Sequence, residues 1–222
     1  MPAVRSFCAA VRARRNSIWD ALCLCVAVLL SSIAVAHAAE APIANSLLLV
    51  AKPELSDPNF RETVVLVTQS VPGGGPLGVI LNRPLGASLS KILPDAAGIA
   101  AQFDDIYAGG PVAPNQLVYL VRTSDSTLSG LRVLDDVVLN GDRGLAADVA
   151  RGRVKAIAFR AYAGFCGWVA RQLQAEIAQG GWYVLPADVE TIFSANAAGL
   201  WPELINRITT RRAATGASRA SS

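Results

Sequence analysis

The stretch TVVLVTQSVPGGGPLGVILNRP, residues 63–84, decides the fold because it contains two strand-like runs joined by a turn. Residues 63–68 and 77–81 are rich in β-branched and aliphatic side chains, which favour β-strands. The segment VPGGGP lies between them and contains the residues that reverse a chain most easily. The stretch therefore predicts a β-hairpin near the start of the folded region.

The same turn formally matches the phosphate-binding pattern G-x-G-x-x-G at Gly73, Gly75 and Gly78. A dinucleotide site needs a helix directly after these glycines, so that the pyrophosphate meets the helix N-terminus. Here Pro76 and a β-branched run follow instead. A flexible hairpin loop is therefore preferred over a phosphate site.

The segments outside the hairpin alternate irregularly between strand and helix patterns. Without a regular β-α-β order, an α+β domain over residues 46–210 is preferred to a doubly wound sheet. Residues 39–45 are expected to be a linker, and the small, polar residues 211–222 to be a disordered tail. Further strands are expected at residues 46–51, 106–108, 117–121, 131–139 and 154–160, and helices at residues 142–150, at 168–179 and from Pro202 onward.

Residues 1–38 have the pattern of an export signal. Basic residues precede an apolar run from Ala21 to Ala36, and Ala36-His37-Ala38 matches an A-x-A cleavage site. The prediction is cleavage after Ala38 and a location in the periplasm or outside the cell, with membrane contact only through the leader before cleavage. Two alternatives stay open, namely an uncleaved anchor, and a start codon placed too early, which would leave the protein in the cytoplasm.

The charge and histidine content exclude several classes of function. The chain carries 20 Lys and Arg against 17 Asp and Glu, and the leader alone accounts for the formal net charge of +3. The body is neutral, so direct nucleic-acid binding is not expected, because it normally needs a clustered basic surface. His37 is the only histidine. The body therefore cannot form Ser-His-Asp or Cys-His nucleophile systems, and no cofactor or metal is predicted.

Cysteine usage also bears on stability and reactivity. Cys8, Cys23 and Cys25 leave with the leader, and Cys166 alone remains. A single thiol cannot form an internal disulfide, so ordinary packing must stabilise the domain. Cys166 has no histidine available as a base, and a small buried apolar role is preferred over a reactive thiol.

Arg83 is the residue for which a functional and a structural role are most evenly matched. It stands between Asn82 and Pro84 at the end of a strand, and the proline holds it in an extended conformation. It could clamp a carboxylate or phosphate with two parallel hydrogen bonds. The alternative, which is preferred, is that Arg83 pairs with Asp57 or another acid and ties two loops together.

Three glycine- and proline-rich loops could converge at one end of the fold and form a binding site. They span residues 53–60, 78–84 and 109–112. Loops of this kind carry binding more often than the scaffold does. The loop residues also have structural explanations, such as an Asx-turn at Asp57 and a close backbone approach at the glycines, and Trp168 has one in core packing. The candidate ligand-binding residues are Asp57, Asn82, Arg83, Gly109, Gly110 and Trp168.

Three ordered stretches resemble the AlgH/YqgE family of bacterial proteins. They are PELSDPNF at residues 53–60 followed by TVV, GVILNRP at residues 78–84 followed by GGPV, and GFCGWVARQL at residues 164–173. The resemblance covers Ser46 to Arg207. It implies a single α+β domain whose bifurcated sheet curls into a pseudo-barrel with helices packed outside. It implies little about function, since the family is essentially uncharacterised and carries a transcriptional-regulator label.

The chain departs from the family pattern in the third stretch. Phe165 stands in place of a tyrosine, Cys166 in place of an alanine, and Val169-Ala170-Arg171 in place of Gly-Pro-Gly. The chain therefore lacks both the tyrosine hydroxyl and the Gly-Pro-Gly turn of the family pattern. Any ligand contact that other members make there is therefore not carried over to this chain.

Three hypotheses for function remain. The first is a non-catalytic regulatory module of the cell envelope that binds a small molecule or an envelope protein. The second is a histidine-independent hydrolase or nucleotide-binding enzyme that uses Asp57 or Asp104 with Arg83 and a divalent metal, since carboxylates and Mg²⁺ can run hydrolysis. The third is a cytosolic, transcription-associated regulator, which applies if the leader is not a true signal.

Overall fold

The computed structural model describes residues 46–70, 74–169 and 171–220. The predicted leader and linker, together with Gly73 of the hairpin loop, lie outside this range. The described residues form ten strands and five helices. The strands are β1 (Leu47–Ala51), β2 (Val64–Ser70), β3 (Pro76–Ile80), β4 (Pro84–Ser88), β5 (Asp105–Ala108), β6 (Val112–Arg122), β7 (Leu131–Leu134), β8 (Val137–Asn140), β9 (Ala158–Gly167) and β10 (Trp182–Pro186). The helices are α1 (Leu89–Ile92), α2 (Leu145–Ala150), α3 (Gln172–Ala178), α4 (Val189–Ile192) and α5 (Leu200–Ala220).

The predicted hairpin is confirmed as the antiparallel pair β2–β3, with Val65 opposite Ile80. It lies inside one sheet whose strand order is β10-β1-β2-β3-β9-β6-β8-β7. Leu66 of β2 and Val133 of β7 belong to the same buried cluster although their strands are far apart in this order. The sheet must therefore curl to bring them together, which confirms the predicted pseudo-barrel.

The sheet branches at β9, which confirms the predicted bifurcation. One edge of β9 pairs along β6, while the other edge pairs first with β5 in parallel and then with β3. The change of partner occurs at Gly109, whose N–H donates to Ala163 O and whose carbonyl accepts from Ile80 N. Gly109 thus joins the two branches at the point where they separate.

Helices cover the outside of the curled sheet. Leu200 and Leu204 of α5 are buried in the same cluster as the sheet interior. Leu145 of α2 packs with Leu89 of α1 in a second cluster, and Leu173 of α3 packs in a third. No helix among the described residues is long and apolar enough to cross a membrane.

Two predicted strands have different bounds in the structure. The run 131–139 is a tight hairpin, β7–β8, because Asp135 and Asp136 form its turn. The predicted strand at 154–160 instead starts at Ala158 and continues to Gly167, following the long partner β6.

The predicted helix 168–179 begins only at Gln172. Trp168 N–H donates to Pro76 O, which extends the sheet pairing, and Arg171 has a left-handed backbone with φ of 68° that starts the helix late. Val169 is consequently 71% exposed. Similarly, the predicted helix 142–150 begins only at Leu145, and the Asp142 side chain accepts Gly144 N–H ahead of it.

The last helix extends beyond its predicted end. The sequence predicts a disordered tail from residue 211, whereas the backbone of α5 is helical through Ala220. Alanine and arginine have high intrinsic helix propensity, which supports continuation without an apolar stripe. Residues 221–222 lie outside the described range.

Candidate functional site

Arg83 holds the loop of residues 57–62 against the end of β3. Its guanidinium donates to the backbone carbonyls of Asn59 at 2.7 Å and Arg61 at 3.0 Å, with a longer contact to Pro58 O at 3.5 Å. The predicted tie between two loops is therefore present. Its chemistry differs from the prediction, because Arg83 bonds to backbone carbonyls and not to Asp57 or another acid.

Asn82 and Asp57 hold the same loop in place. The Asn82 side chain is 8% exposed, accepts a hydrogen bond from Val64 N–H at 2.8 Å and donates to Glu62 O at 2.9 Å. The Asp57 carboxylate accepts Asn59 N–H at 2.8 Å, which is the predicted Asx-turn. Both side chains thus satisfy backbone groups that would otherwise lack partners.

The two candidate glycines occupy a crossing of two backbones. A Cβ on Gly109 would collide with Gly164 O, and one on Gly110 would collide with the backbone of Phe165. Gly164 itself has φ of 71° and would bring a Cβ to 2.5 Å from Gly110 O. The predicted close approach therefore explains why these positions need glycine.

Trp168 lies in the core rather than in an open cleft. It is 5% exposed, its Nε1–H donates to Glu176 Oε2 at 3.1 Å, and its ring stacks on Phe60 at a centroid distance of 6.2 Å. Through Phe60 it touches the loop that Arg83 holds. The three predicted loops do converge, but their polar groups bond to one another. A role for these six residues in ligand binding stays a prediction.

Cys166 is a fully buried thiol on β9. Burial raises the pKa of Cys166 to about 12, and the nearby Arg83 charge opposes that rise. The Sγ lies 3.4 Å from Gly109 O. A protonated, inaccessible thiol agrees with the preferred structural interpretation of this residue.

A site that the sequence did not predict lies under an irregularity in β6. Val112 pairs with Phe165 and Leu117 pairs with Ala163, so the four residues between them on β6 stand opposite one residue of β9. Ala113 has φ of 46°, a left-handed conformation that costs a non-glycine residue roughly 1–2 kcal/mol. Bulges and strained backbone of this kind concentrate at functional sites.

The bulge forms one wall of a cavity of about 490 Å³, which we call the bulge cavity. Pro114, Asn115, Gln116 and Leu117 line it from β6. The remaining walls are mostly apolar and come from β4, α1, the first residues after α1, β5 and β9. They are Leu85, Ala87, Ile92, Leu93, Ile106 and Ala163, with Tyr119 and Arg143 as the polar exceptions.

Tyr119 brings a phenolic hydroxyl to the wall of this cavity. It is 1% exposed, and its hydroxyl forms no hydrogen bond with any residue that the structure describes. Burial, reinforced by the charge of Asp142, raises the pKa of Tyr119. The hydroxyl therefore keeps its proton at neutral pH and is available as a hydrogen-bond donor.

Arg143 supplies positive charge at the same cavity. Its side chain is exposed and forms neither an ion pair nor a hydrogen bond within the described ranges. A free guanidinium and a free phenol beside apolar walls are complementary to a molecule with an apolar body and an anionic end.

The sequence contained one signal for this site. Pro114 lies inside a strand, where proline marks a bulge or an edge because it cannot donate to the sheet. The apolar run 117–121 was correctly predicted as a strand. Its residue pattern could not show that the Tyr119 hydroxyl lacks a hydrogen-bond partner. Arg143 follows a turn, and only the fold brings it to the cavity.

Comparisons with known proteins agree with the fold. The family model described as AlgH-like matches residues 48–213. A UPF0301 protein of Thermobifida fusca is 39% identical over 173 residues, which cover 72% of this chain and 84% of that protein. A UPF0301 protein of Nocardia farcinica is 35% identical over 164 residues, covering 72% of this chain and 75% of that protein.

Two solved structures share this architecture. The solution structure of the AlgH protein from Pseudomonas aeruginosa superimposes with a TM-score of 0.55 at 30% identity, covering 68% of this chain and 80% of that one. A crystal structure of a protein from Corynebacterium diphtheriae has a TM-score of 0.62 at 23% identity, covering 73% and 86% respectively. The second likeness concerns the fold alone.

Proposed function

The chain belongs to the AlgH-like family, and we propose that it is a non-catalytic module that binds a small amphiphilic molecule with an anionic end group. The family itself is uncharacterised, so the proposal rests on the bulge cavity. The observation that carries it is the pairing of two unused polar groups, the Tyr119 hydroxyl and the Arg143 guanidinium, with apolar walls in one cavity.

The two free polar groups favour a ligand over a purely structural cavity. The Tyr119 hydroxyl and the Arg143 guanidinium face the cavity, where they can bond only to water or to a ligand. A hydrogen bond to a charged group contributes about 1.5–3 kcal/mol. A ligand that accepts from Tyr119 and pairs with Arg143 would give both groups a partner.

We extend the proposal to location. The pattern of residues 1–38 supports export and cleavage after Ala38, so the binding module would act in the cell envelope. N-terminal sequencing of the protein from fractionated cells should begin at Ala39 in the periplasmic or secreted fraction. An intact Met1 or an N-terminus inside the apolar run, found in the cytosolic fraction, would reject export.

The hydrolase alternative lacks a supporting constellation. Within the described residues there is no group of three His, Cys, Asp or Glu side chains that could hold a metal. The Asp104 carboxylate bonds to Ser88 and Ser90, whereas Asp57 bonds to Asn59 in a different loop. The two carboxylates suggested for this chemistry therefore take part in separate hydrogen-bond networks.

The nucleic-acid alternative has one observation in its favour. Arg207, Arg211 and Arg212 of α5 line a depression of about 370 Å³ together with Asp188. Such a cluster could bind the phosphates of a nucleic acid, and the affinity for the nucleic acid would fall steeply as the salt concentration rises. Retention on heparin at physiological salt would support this alternative, and elution below that salt would reject it.

The proposal is tested by native mass spectrometry of the protein purified from its own host. The wild type should carry a small anionic molecule with an apolar body. Arg143→Gln and Tyr119→Phe should lose it, while the matched control Arg61→Gln, an exposed arginine on the 57–62 loop, should retain it. Loss only in Arg61→Gln would move the site to the loop that Arg83 holds, and a wild type free of bound molecules would contradict the proposal.

A further inference from the structure

A second cleft shares no lining residue with the bulge cavity. Its volume is about 300 Å³, and we call it the Arg160 cleft after its buried cation. Tyr107, Phe103 and Phe193 give it aromatic walls, and Asp105 and Arg160 give it two opposite charges. The inference below is independent of the function proposed for the bulge cavity.

Arg160 is a buried cation without an acidic partner. Its side chain is 7% exposed, and its guanidinium lies 4.8 Å from the centroid of the Tyr107 ring. It donates to the carbonyl of Ile192 at 2.9 Å and to the carbonyl of Ser194. No carboxylate in the described part of the chain forms an ion pair with it. A guanidinium has five N–H donors, so donors remain for an anion.

Asp105 stands beside Arg160 in the sheet and yet does not pair with it. In the parallel pair β5–β9, Ile106 is opposite Ala161, so the preceding residues of the two strands are neighbours. Alternation places Asp105 on the same side of β5 as Tyr107, the ring that contacts Arg160. The Asp105 side chain is exposed and forms no ion pair or hydrogen bond with the residues described.

A second buried polar group, the Tyr162 hydroxyl, lies near the Arg160 guanidinium. The Tyr162 ring lies 5.7 Å from Tyr107, and its buried hydroxyl faces the Arg160 guanidinium without meeting full hydrogen-bond geometry. Burial of a cation without an anion is costly. Asp105 lines the same cleft as Arg160 and forms no ion pair with it, so the two opposite charges both face the cleft.

We propose that the Arg160 cleft binds a free α-amino acid with an aromatic or large apolar side chain. Its carboxylate would accept from the unused donors of Arg160, and its ammonium would pair with Asp105. Its side chain would pack against Tyr107, Phe103 and Phe193. A simple anion would be repelled by Asp105 and a simple cation by Arg160, whereas a zwitterion satisfies both.

Calorimetric titration of the wild-type chain with three probes tests the proposal. L-Phenylalanine carries both charges, 3-phenylpropionate lacks the ammonium, and 2-phenylethylamine lacks the carboxylate. We expect L-phenylalanine to bind at least about tenfold more tightly than either analogue, because each loses one charge-assisted contact. Equal affinities, or no binding of L-phenylalanine, would overturn the proposal.

Asp105→Asn assigns the binding to this cleft without disturbing the fold, since the carboxylate has no internal partner. The variant should bind L-phenylalanine and 3-phenylpropionate with similar affinity. Asp135→Asn, which removes an exposed carboxylate from the β7–β8 turn, should keep the wild-type preference. If Asp105→Asn still prefers L-phenylalanine to 3-phenylpropionate, binding lies elsewhere and the assignment to this cleft is contradicted.

Discussion

At the scale of single residues, Arg83 and Arg160 bind backbone carbonyls and not acids. Arg83 donates to the 57–62 loop, and Arg160 donates to the residues that end α4. A guanidinium suits this role because its donors spread in a plane and reach several carbonyls at once. Such arginines fix loops whose backbone groups have no sheet or helix partner.

Replacing Arg83 with alanine should destabilise the domain by about 1.5–3 kcal/mol, the range for hydrogen bonds to charged groups. The loss follows from the contacts to Asn59 O and Arg61 O, which would be left to solvent. Urea unfolding with comparison of m-values measures it. Arg61→Ala, which removes an exposed side chain from the same loop, should shift the midpoint little, and a similarly small shift for Arg83→Ala would contradict a structural role.

Asp104 should make stability depend on pH in the acid range. The hydrogen bond from Ser88 lowers the pKa of Asp104, the Ser90 amide and hydroxyl and Lys91 act in the same direction, and burial opposes them. A carboxyl whose pKa is lower in the folded state contributes stability above its unfolded pKa of about 3.9, and that contribution disappears as the pH falls through the folded value.

Asp104→Asn should therefore unfold at lower urea than the wild type at pH 7, with the difference shrinking below about pH 4. The measurement is the urea midpoint of both proteins from pH 7 to pH 2.5. A difference that stays constant over this range would show that the carboxylate charge is not what Ser88 and Ser90 stabilise.

At the scale of elements, the branch of the sheet at β9 depends on a backbone crossing. Gly164 packs against Gly110 with no room for a side chain, and this contact lets β5 separate from β3 while both pair with β9. The family resemblance implied a bifurcated sheet. The structure adds the reason why glycine is needed where the branches meet.

Gly164→Ala should destabilise the fold by about 2–5 kcal/mol, the combined cost of a strained backbone and of overpacking. Gly152 gives a matched control, because it has the same φ of 71° and nothing within 4 Å of an added Cβ. Gly152→Ala should cost only about 1–2 kcal/mol, because the added side chain meets no neighbour and only the left-handed backbone is unfavourable. Equal midpoint shifts in urea would show that the crossing at Gly164 is not crowded.

The elements that the sequence predicted are those with local signals. The hairpin β2–β3 was found because two β-branched runs flank a glycine-rich turn. The sequence did not predict four short elements, namely β4, β10, α1 and α4. Each is four or five residues long and is defined by the element it packs or pairs with more than by its own composition. The late start of α3 depends on the bond from Trp168 N–H to Pro76 O, which joins residues far apart in sequence.

At the scale of the whole molecule, the buried clusters share their strands. β1 and β2 contribute Leu48 and Leu66 to the interior of the curl, and Leu49 and Val65 to the cluster under α3. Neither cluster can open without exposing the other face of the same strands. Residues 46–220 should consequently unfold in one cooperative transition, with coincident tryptophan fluorescence and circular dichroism curves. Two separated transitions would contradict this linkage.

The candidate site was predictable only in part, for a physical reason. The loops chosen from the sequence do converge, yet their polar groups bond to the backbone of the same loops. Tyr119 and Arg143, two of the polar groups left free at the cavity, come from a strand interior and a turn that look ordinary in sequence. A missing partner is a property of the folded chain, so composition and spacing could not show it.

Calorimetric titration with decanoate and decanol tests the central claim, the anionic specificity of the bulge cavity, most directly. The two probes have apolar chains of the same length and differ in the end group, an anionic carboxylate or a neutral hydroxyl. The wild type should bind decanoate at least about tenfold more tightly than decanol, since a charge-assisted hydrogen bond contributes about 1.5–3 kcal/mol. Arg143→Gln should remove that preference and Arg61→Gln should keep it. A wild type with no preference, or a preference unchanged in Arg143→Gln, would contradict the account.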